Sequence, residues 1–130
     1  MALAFRVIRF DLDDVRIGKP AERREKFYFE DARIRRDYKG NRAVDVAIKS
    51  FDLVAHSTAG AGDEFWFGRQ QVSVDVNQHG HQDGEVTLSV YLRPSPAYEG
   101  SRAYNITYSA TVEALVIAEL EGMPDGFPER

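Results

Sequence analysis

Residues 104–120 read YNITYSATVEALVIAEL, from Tyr104 to Leu120. Tyr104, Ile106, Tyr108, Ala110, Val112, Ala114, Val116, Ala118 and Leu120 hold the even positions, while Asn105, Thr107, Ser109, Thr111 and Glu113 hold odd ones. Successive side chains on a strand point to opposite faces, so alternation kept this long predicts a strand with one face in a core. One buried and one solvated face is what an antiparallel sheet permits. The expected fold is all-β, with Tyr104, Ile106, Tyr108, Ala110 and Val112 pointing inward. A helix over Thr111–Glu121, closed by Gly122, is the competing assignment. The alternation runs through its proposed start and favours the strand.

The same run poses a problem of length. At ~3.3 Å per residue it would span ~55 Å, more than one small sandwich uses. Beyond Glu113 the odd face also turns apolar, at Leu115 and Ile117. Either the strand bends into a second sheet, or another element or subunit covers its far end.

Working outward, Leu3–Leu12 alternates through Leu3, Phe5 and Val7, then continues in the opposite phase through Ile8, Phe10 and Leu12. That slip predicts a β-bulge. Residues 13–25 are polar and read as an arm or long loop, with a helical turn after Pro20 as a further option. Lys26–Arg36 holds one or two short strands around Phe27, Phe29 and Ile34, and Tyr38-Lys39-Gly40-Asn41 is a turn. Ala43–Ser57 slips phase between Ile48 and Phe51, by a second bulge or a break into two strands. Thr58–Asp63 is a loop. Phe65–Asn77, with Val72, Val74 and Val76 inward, and Glu85–Arg93, with Val86, Leu88, Val90 and Leu92 inward, form a hairpin through Gln78–Gly84. Pro94 and Pro96 end it. The expected architecture is an antiparallel β-sandwich or flattened barrel of about six to eight strands, the last one long. One domain spans residues 1–130, and 122–130 form a flexible tail.

At 130 residues the chain can bury a core without staples. It contains no cysteine, which excludes disulfides, thiolate nucleophiles and cysteine zinc sites. The apolar run at the N-terminus is interrupted by Arg6 and Arg9 and follows no basic leader, so no signal peptide is expected. The expected location is the cytoplasm or a virion, and no membrane partner is expected. The net charge of −4 is unevenly spread: residues 1–42 hold 12 of 17 bases and 8 of 21 acids. Interleaved acids at Glu22, Glu25, Glu30, Asp31 and Asp37 disfavour nucleic acid as the partner of this basic third. A neighbouring copy's acidic body suits it better. Arg23, Arg24, Arg33, Arg35 and Arg36, with Leu115 and Ile117, are the candidate interface.

Catalytic motifs are missing: there is no nucleophile elbow, Walker loop, dinucleotide fingerprint or His-Glu-x-x-His. His79 and His81 lie in a glycine-punctuated turn with nothing fixing a third ligand. Asp11-Leu12-Asp13-Asp14 lacks the glycine and distal glutamate of an EF-hand, which leaves only a sheet-edge calcium site open. No metal or other cofactor is expected. Asn105-Ile106-Thr107 matches a glycosylation acceptor but reads as part of a strand's polar face.

Trp66, Arg69, Tyr91 and Tyr98 are the candidate binding residues, since exposed rings stack on sugars or anchor interfaces. The alternation from Arg69 to Leu92 resembles the strand pair of H-type lectin modules, but the late-strand tryptophan of those modules has no counterpart here. The favoured reading is a non-enzymatic structural subunit that self-associates, either a phage- or virus-like component or a cytoplasmic oligomer. The alternative is a carbohydrate-binding, lectin-like module that uses exposed aromatics.

Overall fold

The computed structural model describes residues 2–29, 33–56, 67–77, 83–94 and 107–121. Six strands are present among them: β1 (Ala2–Arg16), β2 (Ala21–Phe27), β3 (Val44–His56), β4 (Phe67–Asn77), β5 (Gly84–Pro94) and β6 (Thr107–Leu120). They form two antiparallel three-stranded sheets, ordered β1-β6-β3 and β2-β5-β4, which pack face to face as a sandwich rather than closing into a barrel. The alternation that predicted a strand over Tyr104–Leu120 is realised from Thr107 to Leu120, and no helix forms there.

β6 stays in one sheet along its length. It is the central strand, paired with β1 on one side and β3 on the other. Tyr108, Ala110, Val112, Ala114, Val116 and Ala118 are buried, and they face the buried Val86, Leu88, Val90 and Leu92 of the other central strand, β5. Each such fully buried Val or Leu contributes on the order of 1.5–3 kcal/mol through apolar area removed from water. Ile8, Phe10 and Leu12 of β1, with Ile17, Ala21 and Phe27, close one flank of this core. Val44, Val46 and Leu53 of β3 and Val72, Val74 and Val76 of β4 are half-buried on the opposite flank, as befits edge strands. Tyr104 and Ile106, two expected inward residues, lie outside the described residues.

Two readings of the N-terminal third need correction. β1 contains no slip at Val7–Ile8, because its pairing with β6 runs unbroken from Ala2 opposite Leu120 to Leu12 opposite Ala110. The irregularity comes later, between Leu12 and Val15, where Asp14 adopts a positive φ of 53°. Asparagines and aspartates tolerate that left-handed conformation better than most residues. Leu3, Phe5 and Val7 therefore point away from the core.

Residues 13–25 are likewise not an arm. β1 continues to Arg16, and a turn with Gly18 at φ 91° carries the chain across to the second sheet, where β2 begins at Ala21. Buried Ile17 and Ala21 anchor that crossing, and the Gly18 N–H donates to the Leu92 carbonyl at 2.8 Å. β2 is charged because it is an edge: Glu22, Arg23, Arg24, Glu25 and Lys26 are all exposed, which discourages pairing with another strand.

Other local expectations hold. The turn at 37–41 is tied by the Asp37 carboxylate, which accepts from the N–H groups of Lys39 and Asn41 at 2.8 and 2.9 Å, with Gly40 at φ 84°. β3 is one strand with an extra residue between Ile48 and Ser50. β4 and β5 pair from Phe67 opposite Pro94 to Asn77 opposite Glu85. Phe27 locks β2 onto this hairpin: a Cβ added at Gly84 would stand 2.5 Å from its ring.

Candidate functional site

Each sheet has an outer face, and the two differ. On the β1-β6-β3 sheet, antiparallel register sets Ile117 between Phe5 and Asp45, and Leu115 between Val7 and Ala47. Leu3 lies at the end of the same row, opposite Glu119. Leu3, Phe5 and Val7 are 58%, 61% and 44% exposed, and Leu115 and Ile117 are half-buried. No third layer covers them among the described residues. The far end of β6 stays in its own sheet, where residues 33–35 bridge to Glu119–Glu121, and its outer face presents an apolar patch.

Polar residues frame the patch. Arg35 lies at one end, its guanidinium 2.7 Å from the Glu119 carboxylate. At the other end Arg9 pairs with Asp11 at 3.2 Å, the Thr111 hydroxyl donates to Asp11 at 3.1 Å, and the Ser50 hydroxyl donates to Glu113 at 3.0 Å. These pairs are exposed and contribute little stability each. They make the second half of the same face mostly polar and solvated, with Val54 as its exposed apolar residue.

The outer face of the β2-β5-β4 sheet is polar along its length. Its cross-strand rows are Arg69 with Arg93, Gln71 with Tyr91, Ser73 with Ser89 and Glu22, Asp75 with Thr87 and Arg24, and Asn77 with Glu85 and Lys26. Tyr91 is half-buried and lines an open hollow of about 360 Å³ with Gly18, Pro20, Gln71, Ser89 and Val90.

The predicted interface residues are divided among several places. Leu115, Ile117 and Arg35 share one outer face. Arg24 points to the outer face of the other sheet, and Arg23 to the inner side of the β2 edge, in register with Leu88. Arg33 and Arg36 line a hollow of about 310 Å³ with Ile34, Arg42, Asp83 and Glu121. Of the predicted binding residues, Arg69 and Tyr91 fall one row apart on the same face. Trp66 and Tyr98, with His79 and His81, lie outside the described residues. Leu3, Phe5, Val7 and Arg93 were missed by sequence reasoning. A signal for the first three existed: β1 and β6 each become apolar in both phases at the ends that pair with each other.

Among the described residues no group of three His, Asp or Glu side chains converges as a metal site, and the Asp11 carboxylate is engaged by Arg9 and Thr111. The Glu119 carboxylate is held by Arg35. No helix among the described residues is long and apolar enough to cross a membrane. Inside the core one group stands out. The Tyr108 hydroxyl is buried with no hydrogen-bond partner among the described residues, and desolvation raises its pKa above the ordinary tyrosine value, partly opposed by the nearby Arg23 charge.

Comparison with known protein families, with curated proteins and with solved structures returned no match for this chain.

Proposed function

We propose that the protein is a non-enzymatic structural subunit that associates with further copies of itself through the outer face of the β1-β6-β3 sheet. The observation that supports this reading is the patch of Leu3, Phe5, Val7, Leu115 and Ile117, which no described element covers. Contiguous apolar surface of this kind adds nothing to the stability of an isolated sandwich and favours burial against a partner. The net +4 of residues 1–42 against the −8 of the remainder adds a weaker, salt-sensitive attraction between copies. A phage- or virus-like component and a cytoplasmic oligomer are the two settings such a subunit suits. The test is molar mass by size-exclusion chromatography with light scattering, for wild type and for Leu115→Ser/Ile117→Ser. Wild type should exceed the 14.7 kDa of one chain and the double variant should approach it.

A second reading is a ligand-binding module, favoured by the hollow at Tyr91. An aromatic ring flanked by the Gln71 amide and the Ser89 hydroxyl offers stacking and hydrogen bonding of the kind saccharides use. A glycan array tests it directly.

A further inference from the structure

The row above Tyr91 sets Arg69 and Arg93 directly opposite each other on the outer face of the β2-β5-β4 sheet, both exposed. Like charges in this arrangement repel and destabilise a sheet. Among the described residues neither has an acidic partner, and Gln71 and Tyr91 in the next row are neutral. Their Cβ atoms, as a cross-strand pair, stand ~4.5–5.5 Å apart, close enough for two guanidinium groups to converge on one oxyanion. The hollow lined by Tyr91, Gln71, Ser89 and Pro20 opens about two residues along the strands, ~6–7 Å away.

We propose that Arg69, Arg93 and Tyr91 form a binding site for a short saccharide that carries one terminal carboxylate. The arginine pair holds the carboxylate; the Tyr91 ring and the Gln71 and Ser89 side chains hold the adjoining sugar. This inference rests on the ligand-binding reading of the Tyr91 hollow and specifies the class of ligand. It is independent of the patch on the opposite sheet.

Titration calorimetry with three probes tests it: a uronic-acid-terminated disaccharide, its neutral counterpart, and inorganic sulfate. The acidic disaccharide should bind at least tenfold more tightly than either of the others. Arg93→Ala or Arg69→Ala should each weaken it about tenfold, Tyr91→Ala should weaken it similarly, and Arg93→Lys should recover part of the loss. Removing one arginine should also leave Tm unchanged or raise it, as relief of repulsion requires; a lowered Tm would point to a structural role and overturn the assignment. Equal binding of the acidic and neutral sugars would overturn the carboxylate site while leaving the ligand-binding reading intact. Sulfate binding as tightly as the acidic disaccharide would reduce the site to a nonspecific anion locus. Failure of all three probes to bind would remove both readings.

Discussion

The two outer faces of this sandwich were built under the same folding constraints and came out differently. Both belong to three-stranded antiparallel sheets whose central strands, β5 and β6, bury every second side chain. The outward side chains of β5 are Glu85, Thr87, Ser89, Tyr91 and Arg93. Those of β6 begin similarly, with Thr107, Ser109, Thr111 and Glu113, and then become Leu115 and Ile117. An inner face is dictated by the need to exclude water, so it reports on the fold. An outer face is free of that demand, so departures from polarity there report on what the surface meets.

Adjacent residues of β6 give the strongest way to break the comparison. Val116→Asp places an unpaired carboxylate in the core, at a cost of several kcal/mol that should abolish cooperative unfolding. Ile117→Asp, one residue on, should leave circular dichroism native and reduce self-association. If both variants unfold, the outer face is not an outer face. Gly84→Ala comes next: its methyl would press on the Phe27 ring and should cost about 1–3 kcal/mol in denaturant titration. Trimming Phe27 to Leu in the same chain should recover part of that loss.

Leu115→Ser/Ile117→Ser removes half-buried rather than core methyl groups, so unfolding free energy should drop by no more than about 1–2 kcal/mol while molar mass falls. The smallest effect concerns Tyr108. Tyr108→Phe deletes a buried hydroxyl with no partner among the described residues and should be neutral or stabilising by up to about 1 kcal/mol at pH 7. Because burial raises the folded-state pKa above 10.0, the protonated form is favoured in the fold. Stability should therefore be level below pH 10 and decline above it, as the unfolded chain ionises first. That share of the alkaline decline should be missing in the phenylalanine variant.

Much of the sandwich was legible because its central strands keep a period of two through Tyr108–Ala118 and Val86–Leu92, which outweighed the competing helix over Thr111–Glu121. The bulge at Ile48–Ser50 and the Asp37–Asn41 turn were also legible, since each leaves a local mark. Leu3–Leu12 was misread because a strand that is apolar on both faces and a strand with a one-residue slip write the same letters. Only the partner strand decides between them, and that is long-range information. β2 was misread because its composition, AERREKF, reflects protection of a sheet edge rather than strand propensity. Of the candidate sites, the pairing of Leu115 with Val7 and of Arg69 with Arg93 depends on cross-strand register, which the one-dimensional pattern does not encode.

The central claim is that the apolar half of the β1-β6-β3 outer face is a surface for a second copy. Light scattering on the eluting wild-type protein, at low and at high salt, tests it most directly. Apolar burial persists in salt whereas exposed ion pairs are screened. The account predicts a molar mass above one chain in both conditions, collapsing to one chain in Leu115→Ser/Ile117→Ser. A wild type that elutes as a single chain in both conditions, at concentrations on the order of tens of micromolar, would contradict it.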